Sequence, residues 1–303
     1  MTRALVIGYG SIGQRHALWL KQLGCEVAVV SRRKIDFNPL YQTVEGALLG
    51  QGSDYVVIAN NTSEHADTLK IIANSGFAGK VLVEKPLFKD AVDFKLPDSI
   101  DCYVAYNLRF HPLLWRIRDL LVNQKILQAN IYVGKYLPTW RPGERIGYSG
   151  NKDLGGGVLR DLSHELDYIE WLLGSWVSVS AVCGHFSDLP ITSDDCVSVV
   201  GETLHAPAVN LQMNYLDRIG KREIRIQCDA MTIYGDLLTG RLQFNETVED
   251  FKIQRQDTYL AQHRAVLSGD KTKLCAFRSG LKLMKVIASI EKASQKKAWI
   301  EIA

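Results

Sequence analysis

The sequence predicts an α/β protein in two parts: a doubly wound domain on a parallel sheet, then an α+β domain built on a mostly antiparallel open sheet. Three observations carry this. The chain has 303 residues, and domains usually run to roughly 100–200 residues, so two modest domains are expected. In the first third, short apolar runs alternate with amphipathic segments, the pattern of βαβ units. From Leu127 onward, period-two runs at short spacing describe an antiparallel sheet with one covered face. The expected domains are 1–117 and 118–303, joined in the stretch from Tyr106 to Val122.

In order, the first part reads as a strand at Ala4–Ile7, a helix at Ile12–Leu23, a strand at Val27–Val30 and another at Tyr55–Ala59. A helix at Ser63–Asn74 and a strand at Val81–Val83 follow. Tyr55-Val56-Val57-Ile58-Ala59 has no polar side, as a strand covered on both faces requires. After Pro86 the pattern loosens, and Asp93 to Asp98 leaves little room for a helix before the strand Cys102–Tyr106. In the second part, strands are expected at Ala129–Val133, Val177–Val182, Cys196–Val200, Val209–Tyr215, Glu223–Gln227 and Met231–Tyr234. Helices over Asp257–Leu267 and Lys271–Lys292 precede a short strand at Ala298–Ile302.

Composition narrows the function. With 47% hydrophobic and 23% charged residues the chain is of average globular type, which excludes a disordered, collagen-like or disulfide-scaffold protein. Lys plus Arg (36) exceed Asp plus Glu (33) by three, too small a bias for a protein that lives on phosphate backbones, so nucleic acid is not an expected partner. No signal peptide and no membrane span is expected. Cys25, Cys102, Cys183, Cys196, Cys228 and Cys275 form no CxxC pair, which fits free thiols in a reducing, cytoplasmic setting better than disulfides or zinc.

Gly8-Tyr9-Gly10-Ser11-Ile12-Gly13 matches G-x-G-x-x-G directly after a strand and before a helix, the context that turns a weak motif into a dinucleotide-binding, Rossmann-type fingerprint. Gly8 permits the tight turn, Gly10 lets a pyrophosphate approach backbone, Gly13 lets the helix pack on the strand, and the helix start at Ser11 and Ile12 favours negative charge. About twenty residues on, NAD-binding versions carry a carboxylate for the ribose hydroxyls. Here that place reads Val30-Ser31-Arg32-Arg33-Lys34. A hydroxyl and the guanidinium groups of Arg32 and Arg33 suit a 2′-phosphate, so NADP is expected over NAD, the alternative being a solvated cationic loop.

Two further clusters carry chemistry. Val83-Glu84-Lys85-Pro86 puts a lysine at the carboxyl end of a buried strand, where doubly wound sheets bind ligands, and Pro86 holds Lys85 extended. In Gly155-Gly156-Gly157 through Asp167, helical spacing puts Leu162, Leu166, Ile169 and Leu173 on one face and Asp161, His164 and Asp167 on another stripe. That stripe either faces water or holds a base: a carboxylate near a histidine is how an imidazole is oriented for proton transfer. No metal is expected there, because no further clustered ligand is evident.

With these segments together, the sequence resembles the Gfo/Idh/MocA oxidoreductases, the family of glucose-fructose oxidoreductase and inositol dehydrogenase. The resemblance runs through Ser11 to His16, Asn60-Asn61-Thr62-Ser63-Glu64-His65, Glu84-Lys85-Pro86, Tyr106 to Pro112 with Arg109, and the block Gly155–Gly174. It implies a Rossmann domain followed by an α/β domain whose open sheet makes oligomer contacts, here a homodimer or tetramer. It places Asn60, Asn61 and Glu84 with the cofactor, His65 at the nicotinamide end or else only on its helix surface, Lys85 beside the nicotinamide and the reacting carbon, and His164 as the proton donor or acceptor. Many members carry an aspartate four residues before that histidine, whereas here Arg160 holds that position and Asp161 stands three before. Asp167, in the His-x-x-Asp segment, reads equally well as a buried anchor.

The loop Tyr136–Ser149 is rich in aromatic and cationic groups; Trp140, Arg141, Arg145 and Tyr148 suit a sugar ring and a carboxylate or phosphate, or else pack against their own domain. The expected activity is hydride transfer between a nicotinamide, NADP preferred, and a secondary alcohol of a sugar, polyol or nucleotide-sugar, with Lys85, Arg109, Asp161 and His164 on the substrate. The alternatives are a glycosidase that oxidises its sugar transiently, and a non-catalytic NADP-responsive binding protein.

Overall fold

The computed structural model describes residues 1–142 and 146–302. The chain begins with β1 (Arg3–Ile7), α1 (Ser11–Gln22), β2 (Glu26–Val30), β3 (Leu40–Tyr41), α2 (Val44–Gln51) and β4 (Tyr55–Ile58). A 3-10 turn at Thr62–Glu64 leads into α3 (His65–Asn74), β5 (Gly79–Val83) and β6 (Ile100–Val104). Then come α4 (Pro112–Leu120), β7 (Ile126–Gly134) and the short helices α5 (Leu137–Trp140), α6 (Ile146–Ser149) and α7 (Val158–Asp161). They are followed by α8 (His164–Leu173), β8 (Trp176–Gly184), β9 (Cys196–Thr203), β10 (Ala206–Asn214), β11 (Lys221–Cys228) and β12 (Thr232–Asp236). The remainder is β13 (Arg241–Phe244), β14 (Thr247–Asp250), α9 (Arg255–Ser268), β15 (Cys275–Ala276), α10 (Phe277–Lys296) and β16 (Ile300–Glu301).

These elements form two compact units, Met1–Asn107 with Gln256–Leu281, and Leu108–Arg255 with Lys282–Ala303. The division differs from a single cut at 117/118 because β15 pairs antiparallel with β6, which returns 256–281 to the first unit. It also shortens the helix expected at Lys271–Lys292: Cys275 and Ala276 are strand, and α10 starts at Phe277. Gly280 lets that helix lie against Val104, since a Cβ there would meet Val104 Cγ2 at 2.5 Å and Leu87 Cδ2 at 3.1 Å.

The first unit is a Rossmann-type sheet of order β15-β6-β5-β4-β1-β2-β3, parallel but for β15. Its central strands are buried on both sides, as the all-apolar runs require: Ala4 to Ile7, Tyr55 to Ile58 and Val81 to Val83 are all in the core. All carboxyl ends of the parallel strands therefore lie on one edge, which brings Gly8, Ser31, Ala59 and Glu84 to neighbouring strand ends.

The second unit carries the mixed sheet β14-β13-β12-β11-β7-β10-β9-β8-β16, antiparallel except where β10 runs parallel to β7. Alternation sets its covered face: Val197 and Val199 in β9, Val209, Leu211 and Met213 in β10, and Ile224 and Ile226 in β11 are buried. The short hairpin strands β13 and β14 and the helices α2 and α4 add to the elements expected from the sequence. No helix among the described residues is long and apolar enough to cross a membrane.

Leu211 is fully buried at the β7–β10 pairing, opposite Ile131. Leu211→Ala should lower unfolding free energy by about 2–5 kcal/mol in urea titration.

Candidate functional site

In the first unit the site begins with the glycine turn. Gly8 has φ +95°, and a Cβ there would lie 2.6 Å from Asn60 N and 2.7 Å from the Ala59 carbonyl. A Cβ on Gly13 would overlap Gly8 O, so only two glycines let α1 approach β1 this closely. Gly10 is different. It is extended, with φ −78° and ψ −169°, and a Cβ there would meet nothing within 4 Å. Gly10 caps α1 without a side-chain hydrogen bond, and the first turn, Ser11 and Ile12 included, holds no acidic residue. A helix start with free N–H groups, uncapped and open above the second glycine, fits a pyrophosphate.

The end of β2 lies beside this turn. Arg33 Nη2 donates to Tyr9 O (2.7 Å), and Ser31 Oγ accepts from Arg33 N (3.2 Å). Arg32 reaches Glu64 Oε1 at 3.1 Å in a pair that is mostly open to solvent, which ties it down only weakly. Asn60 Nδ2 donates to Thr68 Oγ1 (2.8 Å) and Glu64 Oε2 (3.2 Å), and Asn61 is exposed.

At the end of β5, Glu84 is buried and its Oε1 lies 2.8 Å from His16 Nε2, while its Oε2 accepts from Lys85 N (3.1 Å). The Lys85 side chain is half-buried. His65 is buried, with Nδ1 facing Pro86 O (3.2 Å) and Leu87 O (3.1 Å) and Nε2 facing Asn60 O (3.2 Å). Burial holds its imidazole below the ordinary range despite those carbonyls. The residue braces the turn after Lys85 against the loop after β4.

In the second unit the glycine block makes a second constrained turn. Gly155 (φ +87°) and Gly157 (φ +115°) take conformations that L side chains avoid. A Cβ on Gly156 would press on Tyr148 O and lie 2.6 Å from Ser149 O, so Gly156 lets chain 148–151 pass directly over it. That passage brings Ser149 to Asp161: Ser149 Oγ donates to Asp161 Oδ2 (2.7 Å), as does Tyr215 Oη (3.1 Å). Arg141 Nη2 approaches the same carboxylate at 3.2 and 3.3 Å. Burial first, and Asp161 second, keep the Tyr215 phenol well above its ordinary range, so it remains a donor.

The helix expected through Asp161, His164 and Asp167 is broken after Asp161, and α8 starts afresh at His164. None of the three faces water: Asp161, His164 and Asp167 are 5%, 9% and 1% exposed. Asp167 accepts a two-pronged contact from Arg109, Nε to Oδ2 at 2.9 Å and Nη2 to Oδ1 at 2.7 Å, both residues being buried. That is an anchor joining the 3-10 turn Asn107–Phe110, just before α4, to α8. Glu165 is held likewise by Arg222, at 2.7 and 3.1 Å. Neither the Ser149 and Tyr215 partners of Asp161 nor Arg222 was singled out by sequence, because their pairing depends on sheet register and on the Gly156 crossing.

Trp140 is half-buried, its ring 4.4 Å from Arg141 Cζ, 5.6 Å from Lys135 Nζ and 6.2 Å from the Tyr215 ring. Tyr148 Oη lies 3.5 Å from Gly155 O. Arg145 lies outside the described residues. Among the described residues no group of three His, Cys, Asp or Glu side chains could hold a metal ion, and all six cysteines are free.

Residues 117–236 match the GFO/IDH/MocA C-terminal domain family. No curated protein matches the chain. Among solved structures, levoglucosan dehydrogenase in complex with NADH is similar over 100% of this chain and 99% of its own, with TM-score 0.82 and 16% identity. The WlbA dehydrogenase from Bordetella pertussis, in complex with NADH and UDP-GlcNAcA, is similar over 100% and 99%, with TM-score 0.81 and 17% identity. An oxidoreductase from Agrobacterium radiobacter, in complex with NAD+, L-tartaric acid and magnesium, is similar over 99% and 98%, with TM-score 0.83 and 15% identity. At such identities these likenesses show a shared fold.

Glu170, one turn beyond Asp167, has its carboxyl pushed up to about 7, first by burial and then by the Asp167 charge. The folded chain therefore binds more protons than the unfolded chain between the ordinary carboxylate range and about 7, and stability falls as pH rises through that window. Glu170→Gln should flatten this fall, with its gain over wild type larger at about pH 8 than at about pH 5 in chemical denaturation.

Proposed function

We propose that the chain is a member of the Gfo/Idh/MocA oxidoreductase family, whose C-terminal domain residues 117–236 match, and that it is a nicotinamide-dependent oxidoreductase acting on a secondary alcohol of a sugar, polyol or nucleotide-sugar. The observation that carries this is the glycine turn: Gly8 and Gly13 are filled by the fold itself, while Gly10 stands open at an uncapped helix start. When bound, the dinucleotide supplies the hydride acceptor or donor.

The residues divide the remaining work. Gly10 and the first N–H groups of α1, from Ser11 to Gly13, hold the pyrophosphate. Ser31, Arg32 and Arg33 hold a 2′-phosphate, which makes NADP the preferred form; no carboxylate stands at residues 31–34 to claim the ribose hydroxyls instead. The solved relatives were captured with NADH or NAD+, so the preference rests on these three side chains. Lys85 donates a hydrogen bond to the reacting oxygen and polarises it, and His164 takes the hydroxyl proton in the oxidative direction and returns it in reduction.

Asp161 has its carboxylate shared among Ser149, Tyr215 and Arg141. It therefore ties Arg141 and Ser149 to the end of α7, before the α7–α8 break that precedes His164. Arg109, with two of its nitrogens on Asp167, supports α8 from below rather than offering that edge to substrate. Trp140 and Arg141 present a stacked aromatic-cation pair suited to a sugar face and an anionic group. The open sheet of the second unit, with Val182 and Val200 exposed, is the proposed contact between copies in a homo-oligomer.

A screen of NADP and NAD reduction against sugars, polyols, sugar acids and nucleotide sugars, read by absorbance, tests the activity. Lys85→Ala should lower turnover at least about 100-fold while leaving NADPH affinity within about threefold. Turnover equal to wild type would refute the role of Lys85. Arg32→Ala with Arg33→Ala should weaken NADPH about tenfold or more and NADH little; equal loss of both would refute the phosphate-reading role.

A further inference from the structure

Four side chains of the first unit, three on β4, α9 and α1 and the fourth, Glu84, directly after β5, form one buried hydrogen-bond chain. Tyr55 Oη on β4 lies 2.9 Å from His263 Nδ1 on α9, His263 Nε2 lies 2.8 Å from His16 Nδ1 on α1, and His16 Nε2 lies 2.8 Å from Glu84 Oε1. Tyr55 and His16 are fully buried, and His263 is 1% exposed. We propose that His263 is a positioning residue: with Tyr55 behind it, it fixes the single proton of His16 that holds the Glu84 carboxylate, and through Glu84 it holds the backbone of Lys85. The proposal rests on the reading that Lys85 acts on the substrate.

The direction of the chain follows from donor counting. A carboxylate only accepts, so His16 presents an N–H from Nε2, and in the neutral ring this leaves Nδ1 as an acceptor. His263 must then donate from Nε2, which leaves its Nδ1 to accept from the Tyr55 hydroxyl. The environment keeps each proton in place. Burial, then the neighbouring His16, holds His263 well below the ordinary imidazole range, and burial, then Cys25 and Glu84, holds the Tyr55 phenol well above its own. The other Glu84 oxygen accepts from Lys85 N at 3.1 Å. A carboxylate with one oxygen clamped by His16 has a fixed plane, and the second oxygen then fixes the peptide that carries Lys85 out of β5.

The polar and aromatic groups that face His16 are Glu84, His263 and the rings of Trp19 (5.7 Å) and Tyr259 (6.2 Å). None besides His263 offers an N–H to Nδ1. Without that donor, nothing keeps His16 Nδ1 an acceptor, and the ring can exchange between its two tautomers. The residue thus fixes one tautomer of the clamp.

The test uses the full chain and needs no substrate. In wild type, side-chain ¹⁵N spectra should show His16 as the Nε2–H tautomer, and the Lys85 amide should be protected from exchange. In His263→Phe, the His16 ring should show mixed Nε2–H and Nδ1–H tautomers and the Lys85 amide should exchange about tenfold faster. His263→Gln, whose amide nitrogen donates toward His16 while its oxygen accepts from Tyr55, should restore both signals. A wild-type His16 protonated on Nδ1, or Lys85 exchange equal in wild type and His263→Phe, would overturn the proposal. If His263→Phe fails to fold, Tyr55→Phe removes one oxygen from the same chain and should give a mixed His16 tautomer, an unmixed one overturning the proposal. Released exchange together with undiminished turnover in Lys85→Ala would remove the role of Lys85 and leave the clamp standing.

Discussion

The approach of α1 to β1 at Gly8 and Gly13 is the constraint on which the proposed site depends. With any side chain at Gly13 the helix would have to leave the Gly8 carbonyl, and with any at Gly8 the strand end would leave Asn60. Closed in this way, the turn aims the start of α1 at the strand ends, where Ser31, Asn60 and Glu84 also emerge. The same closeness brings His16, one turn into α1, within 2.8 Å of Glu84. Backbone geometry at two glycines thus decides both where a phosphate can sit and how the lysine strand end is held.

Buried charge is the second organising element. Glu84, Asp161, Asp167 and Glu165 are all removed from solvent, and each has a donor: His16, Ser149 with Tyr215, Arg109, and Arg222. The two arginine pairs add little net stability over an apolar core, yet losing either arginine costs about 3–5 kcal/mol because a bare charge is left behind; the donors to Glu84 and Asp161 satisfy a buried carboxylate in the same way. Each therefore fixes, within its own unit, the elements that carry Lys85 or His164. In the second unit this is visible in α8, whose three acidic residues Glu165, Asp167 and Glu170 are distinguished by environment: two meet a guanidinium, and the third stays protonated up to about 7.

Much of the fold was legible in the sequence because it is written in local periodicity. The all-apolar Tyr55–Ile58 reads as a central parallel strand and is one, and the alternation in β9 to β11 reads as a sheet with one covered face. What local pattern does not carry is long-range pairing. Cys275 and Ala276 look helical beside Leu274 and Phe277, but an open edge of β6 recruits them as a strand. The stripe Asp161, His164, Asp167 is regular on a helical wheel, yet the helix is interrupted at Leu162 and Ser163 and the stripe is buried. The glycine fingerprint and Lys85 were visible because both are contiguous. His263 was not, since nothing in α9 marks it as the partner of a histidine 247 residues earlier.

Gly10 offers the most direct measurement. Its backbone is one that any residue adopts, and a side chain there would meet no protein atom within 4 Å, so Gly10→Val changes the open space above the turn and little else. Fluorescence titration with NADPH should show affinity reduced at least about tenfold, with the melting temperature unchanged. Undiminished NADPH affinity in Gly10→Val would contradict a dinucleotide seated on this turn.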